Sequence, residues 1–188
     1  MKKLIFTLLL TLLSTSAMAQ EIAGVKIAEE VSTSNGRSLT LNGAGIRSKL
    51  FFKIYIAQLY LAESSSSAEA ILQADSPKRL VMHFLYDEVS REKLVDGWNS
   101  GFHANLTAET MVSLQGKIDQ FNSLFQTVHS GDVISLDYQP GLGTRVIISG
   151  TEKGVVAGKD FNDALLSIWL GKSPVTKDLK KQLLSQNR

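Results

Sequence analysis

The chain has 188 residues, of which 44% are hydrophobic and 20% charged, with a formal net charge of +2 and no cysteine. That length suits one domain around a single core, and the composition excludes a disordered or collagen-like chain. Without cysteine there are no disulfides, thiolate metal sites, iron–sulfur clusters, cysteine nucleophile or lipoprotein anchor, and two surplus charges are too few to indicate nucleic acid.

At the start of the chain, Lys2 and Lys3 precede an apolar run from Leu4 to Leu13 that only Thr7 and Thr11 interrupt. Ala17-Met18-Ala19 then has the small-x-small form of a cleavage site. This is the pattern of a secretory signal peptide over residues 1–19, and the run falls short of the roughly 20 residues that span a bilayer. The short basic start and the Ala-Met-Ala site predict export to a bacterial periplasm. No later run approaches spanning length, so no stable membrane insertion is expected. Without Lys2 and Lys3 the remaining domain, residues 20–188, holds 18 basic and 18 acidic residues. The basic balance belongs to the leader, and nucleic acid is not an expected partner.

In chain order, Val25 to Ser32 and Arg37 to Leu41 read as strands around the hairpin dipeptide Asn35-Gly36. Gly43-Ala44-Gly45 reads as a turn into one long strand, Ile46 to Ala62. Its second half is apolar on both faces, which predicts a central strand covered on both sides. Ser64 to Ser67 caps a short helix, Ala68 to Ala74. Leu80 to Tyr86 is another strand, and Ser90 begins a helix.

Met111, Leu114, Ile118, Phe121 and Phe125 mark one face of an amphipathic helix. Val133 to Tyr138, Arg145 to Ser149 and Val155 to Ala157 form a meander, its turns at Pro140-Gly141-Leu142-Gly143 and Thr151 to Gly154. Asp160 is expected to cap a helix that stops at Gly171, and Lys177 to Leu184 forms a last helix after Pro174. The order indicates an α+β fold with a helical layer on an antiparallel sheet.

Chemistry-bearing motifs are few. His83, His103 and His129 lack ligand spacing, so no metal is expected. No G-x-S-x-G elbow surrounds any serine, and Gly141-Leu142-Gly143 is a hairpin turn instead of a phosphate loop. No cofactor is expected. The leading pair is Arg47 and Tyr55, placed on one face of the strand by their even spacing. An arginine and a tyrosine beside an apolar wall suit a carboxylate or enolate, through paired N–H donors and a hydroxyl. The same residues also suit a surface ion pair and a core aromatic with a satisfied hydroxyl.

Gly43-Ala44-Gly45-Ile46-Arg47 and Lys53-Ile54-Tyr55-Ile56-Ala57-Gln58-Leu59-Tyr60-Leu61 resemble the chalcone isomerase superfamily. So do the run Gly131-Asp132 to Tyr138 with Pro140 to Gly150, the segment Phe161 to Gly171, and Pro174 with Leu183-Leu184. The resemblance covers nearly all of residues 20–188 and is closest to bacterial chalcone isomerase-like proteins. It implies an open-faced β-sandwich, a large antiparallel sheet backed by a layer of helices, with an apolar cleft between.

The superfamily includes enzymes that cyclise chalcones and non-catalytic members that bind fatty acids. For the enzymes, the resemblance implies that Arg47 orients a phenolate for intramolecular addition, with Ser167 as the small hydroxyl residue near the substrate. For the binding class it implies that Arg47 and Tyr55 hold a carboxylate. Tyr55 stands where the isomerases carry a threonine. Arg91 occupies the place of their water-positioning tyrosine, and their asparagine falls near Trp98 or Asn99.

The leading expectation is a periplasmic protein that binds a small amphipathic ligand, a fatty acid or polyketide-like acid, with the tail lined by the sheet and the helix Met111–Phe125. The alternatives are an intramolecular lyase (isomerase) acting on a chalcone-like conjugated carbonyl, with Arg47, Tyr55 and Ser167 as its catalytic groups, and a non-catalytic envelope interaction protein.

Overall fold

The computed structural model describes residues 20–186, so the leader expected over residues 1–19 lies outside the described residues. β1 (Gln20–Ile22) and β2 (Val25–Ile27) form a small hairpin, followed by β3 (Glu30–Ser32), β4 (Ser38–Lys49) and β5 (Phe52–Leu61). After α1 (Ala68–Gln73) come β6 (Lys78–Phe84) and β7 (Glu88–Val89), and then two helices, α2 (Arg91–Asn105) and α3 (Ala108–Ser123). β8 (Val128–His129) pairs with β7; β9 (Val133–Gln139), β10 (Gly143–Ile148) and β11 (Thr151–Val156) form the meander. α4 (Lys159–Leu170) and α5 (Lys177–Leu183) close the fold. Seven strands make one antiparallel sheet in the order β11-β10-β9-β6-β5-β4-β3. This is the α+β arrangement with a helical layer on an antiparallel sheet that the element order predicts, and the open-faced form that the family resemblance implies.

Strand β5 sits near the middle and divides two cores by its pleat. Tyr55, Ala57, Leu59 and Leu61 face the helices and join Leu80, Met82 and Phe84 of β6 with Phe102, Phe121, Phe161 and Trp169. Ile56 and Tyr60 face the other way, with Leu39 and Leu41, onto a smaller cluster that includes Ile27 of the β1–β2 hairpin. Both faces are covered, as its sequence predicts. Asp137 lies opposite Arg79 on β6 and Arg145 on β10, and it accepts hydrogen bonds from both guanidiniums.

Several local expectations are corrected. Thr151 to Gly154, expected as a turn, belongs to β11, and the turn falls at Ser149-Gly150. The segment from Ile46 to Ala62 is two strands, folded back through a two-residue turn at Leu50-Phe51. That turn is apolar and carries none of the Gly, Pro, Asn or Asp residues that mark turns in a sequence. Gly43-Ala44-Gly45 is strand, not turn. The ladder shifts register at Asn42, a buried side chain that donates to the carbonyls of Ser65 and Leu183. A Cβ at Gly43 would strike the Gln182 carbonyl oxygen and one at Gly45 the Gln182 side chain, so these glycines admit the end of α5 against β4. Gly158, at φ +99°, is the N-cap of α4 in place of Asp160. Asp160 sits one residue inside the helix and takes Lys117 at 2.7 Å, which holds its carboxyl below the usual range.

Candidate functional site

The hairpin at Leu50-Phe51 decides how the candidate pair is placed. Arg47 is on β4 and Tyr55 on β5, and the two are direct cross-strand partners. They share a face, although the route differs from the single-strand spacing expected. A register shift at Arg47/Ser48 restores the pairing across the turn. The guanidinium carbon lies 5.8 Å from the centre of the Tyr55 ring, within cation–π range. Among the described residues no carboxylate or carbonyl binds that guanidinium. An ordinary surface ion pair is therefore not what Arg47 makes.

Tyr55 is buried, and its hydroxyl accepts from the Trp169 indole N–H at 3.0 Å. Burial pushes its pKa up to about 12, against the opposing effect of Arg47, so the hydroxyl keeps its proton in the neutral range. The ring also packs on Phe84, its neighbour on β6. Trp169, Tyr55 and Arg47 are thus linked in a chain, by a hydrogen bond and then a cation–π contact, from the core to the half-buried Arg47.

Arg47 opens onto a cleft of about 630 Å³. On the sheet side the cleft is lined by Lys49, Leu50, Phe52 and Ile54, and on the helix side by one face of α2. Lys93, Gly97, Ser100, Gly101 and Ala104 recur there at helical spacing. Apart from Lys93 these side chains are short, and their shortness leaves the groove open between helix and sheet, while Asp96 of α2 and Glu88 of β7 add two carboxylates to the lining. Ile168, Pro174 and Val175 complete the lining. The volume lies within the range of about 300–1,000 Å³ typical of small-molecule sites.

Other expected members fall elsewhere. Ser167 is buried, donates to the Ala164 carbonyl at 2.6 Å, and does not line the cleft; its neighbour Ile168 does. Arg91 is exposed at the start of α2, Trp98 is in the core, and Asn99 accepts from Asn122. The tail wall expected from Met111–Phe125 is supplied by α2. The apolar face of α3 is used up in the core, where Phe121 meets Trp98, Phe102 and Phe161. The stripe of small residues on α2 was present in the sequence, but small residues at helical spacing give no sign of whether they face a cavity or a neighbouring helix. Among the described residues, no group of three or more His, Asp or Glu side chains is arranged to hold a metal ion.

A family model described as chalcone isomerase-like matches residues 19–185. Among solved structures, a fatty-acid binding protein of Arabidopsis thaliana superimposes with a TM-score of 0.63. It is 16% identical, and the match covers 83% of this chain and 96% of that one. At that identity the likeness establishes the shared fold. No curated protein matches the sequence.

Proposed function

Because the chain belongs to the chalcone isomerase-like family, we propose that it is a binding protein for a fatty acid or a similar amphipathic carboxylate, exported to the periplasm. The observation that carries this reading is an arginine with no hydrogen-bond or ion-pair partner among the described residues, lining a cleft whose wall is more apolar than polar. A half-buried guanidinium is normally matched by an anion of the fold, as Arg79 and Arg145 are matched by Asp137. Arg47 keeps its paired donors for an anion from outside. The Tyr55 ring supports it from below and limits where it can point.

Along the groove, Ile54, Val89, Ile168 and Val175 offer an apolar wall to an aliphatic tail. Each buried methylene contributes about 0.8 kcal/mol, so the tail supplies most of the affinity and the arginine sets its direction. The family's fatty-acid binding members, and the solved structure of one such protein from Arabidopsis, support the same reading. Ring closure of a chalcone is less well served. The Tyr55 hydroxyl is tied to Trp169, and Ser167 is bonded within its own helix.

Native mass spectrometry of the gently purified protein, and titration with a panel from octanoate to stearate, tests the proposal. A bound acid that is lost in Arg47→Ala, with the melting temperature retained, is the expected result. A protein that emerges empty and takes none of the panel overturns it. Export is tested separately, by fractionating cells that express the full chain. Retention of uncleaved protein in the cytoplasm refutes the periplasmic assignment.

A further inference from the structure

The turn between β4 and β5 carries the largest concentration of exposed apolar surface among the described residues. Leu50 is 85% exposed, Phe51 98% and Phe52 55%. Three cations, Arg47, Lys49 and Lys53, accompany them, and the segment Arg47–Lys53 contains no acidic residue. Leu50 holds φ +56° at the first position of a two-residue turn, a place where hairpins favour glycine, asparagine or aspartate. A leucine tolerates that backbone only at a conformational cost. The fold thus maintains a branched apolar side chain where a polar or minimal residue would fit better. Phe52 packs edge-on against Tyr86 at 5.5 Å, and both rings line the cleft mouth.

From this arrangement we infer that the Leu50-Phe51-Phe52 tip is a docking element for an anionic lipid bilayer, held at the surface with the cleft mouth facing the membrane. Lipid suits the shape. Three side chains on a convex turn bury far less than the roughly 800 Å² per partner of a stable protein interface, whereas headgroups close around a narrow wedge. Lipid also suits the charge, because Lys49 and Lys53 bracket the apolar tip and match anionic headgroups. Tyr86 adds an aromatic with a polar end, a residue type favoured at that depth. The contact is peripheral, since no described helix is long and apolar enough to cross a membrane. An acid leaving the bilayer would enter the cleft beside Leu50 and Phe52 without crossing bulk water. The docking inference itself rests on the tip alone and stands apart from the ligand reading.

The test is co-sedimentation with vesicles of phosphatidylethanolamine containing phosphatidylglycerol as the minor component, with phosphatidylcholine vesicles for comparison and no free fatty acid present. Wild type is expected on the anionic vesicles. Phe51→Ser, which changes a side chain outside the cleft, lowers the partition coefficient about tenfold, in line with the loss of one buried phenylalanine. Lys53→Gln lowers it about fivefold on anionic vesicles, an effect that fades with added salt, and does nothing on phosphatidylcholine. Both variants keep the wild-type melting temperature.

Wild type that stays in the supernatant, or Phe51→Ser that binds as wild type does, overturns the inference. Sedimentation velocity showing a dimer that Phe51→Ser dissolves would assign the tip to a second copy of the chain and overturn it too. Vesicle binding without fatty-acid binding would overturn the ligand reading and leave this inference intact; the reverse outcome would do the opposite.

Discussion

Two cations lie over tyrosine rings on the helix-covered face of the same sheet, each paired across adjacent strands, at opposite ends. At one end Lys78 stands opposite Tyr138, with its ammonium 5.5 Å from the ring centre. At the other, Arg47 stands opposite Tyr55 at 5.8 Å. Lys78 is fully buried and donates to the carbonyls of Ile71 and Ala74 at 2.7 Å, which ties the end of α1 to the sheet. Its tyrosine hydroxyl donates to Asp75, also on that connection. Arg47 has none of these attachments and faces a cleft. Nearly the same cross-strand motif is therefore a structural tie where the fold closes over it and a binding group where the fold stays open. What separates the two is the supply of acceptors, not the residue types.

The partnered side of this contrast should break with the largest effect. Asp137→Ala leaves Arg79 and Arg145 without their shared, buried carboxylate and should cost about 3–5 kcal/mol in urea unfolding. Fatty-acid affinity should be unchanged, because Asp137 is on the sheet's outer face. Next, Lys78→Ala strips two buried carbonyls of their donor and should cost about 2–4 kcal/mol, again with binding intact. A variant at either position that loses ligand but not stability would erase the distinction between the two ends.

Arg47→Ala should do the reverse. Its stability should change by about 1 kcal/mol or less, since only the cation–π contact with the Tyr55 ring is lost. Fatty-acid affinity should fall by about 1.5–3 kcal/mol, the usual worth of a hydrogen bond to a charged group, as read by calorimetry. Tyr55→Phe should fall between. It leaves the Trp169 indole N–H without its acceptor, at about 1–2 kcal/mol in stability, and should weaken binding less than Arg47→Ala does.

The last contrast concerns pH. Burial pushes the Lys78 ammonium down to about 8, whereas the unfolded chain holds that proton to about pH 10.4. Between those values the unfolded state binds more protons, so the Lys78 contribution to stability rises with pH. Burial raises Tyr55 and Tyr60 to about 12. Their contribution is whole below about pH 10 and is lost as pH rises further, because the unfolded tyrosines ionise first. Urea midpoints should climb above pH 8 and then fall beyond about pH 10. Lys78→Met should flatten the climb and leave the fall.

Much of the fold was readable because its signals are local. Ser67, Ser90 and Thr107 accept from backbone N–H groups at the starts of α1, α2 and α3, as residues of their type do wherever they precede an apolar helical pattern. The two-sided apolar run of β5 announced a covered strand. The β4–β5 turn was hidden because its residues are Leu and Phe, which mark strand interiors in most chains. Only pairing in three dimensions identifies them as a tip, and their exposure there is what suggests a lipid surface. Asn42 was overlooked for a related reason. An asparagine in a strand reads as a weak position until a bulge turns it toward the carbonyl of a residue near the end of the chain.

By itself, the sequence determined the class of fold, the order of most of its elements, the absence of thiol chemistry and the resemblance that drew attention to Arg47. Those properties follow from composition, periodicity and capping, which act over a few residues. Tertiary structure decided which cation is tied and which is free, that α2 instead of α3 walls the cleft, and that Ser167 turns back on its own helix. Each of these depends on which groups meet across the sheet–helix gap. An arginine's role is set by the acceptors that packing brings within reach, and no spacing along the chain encodes that.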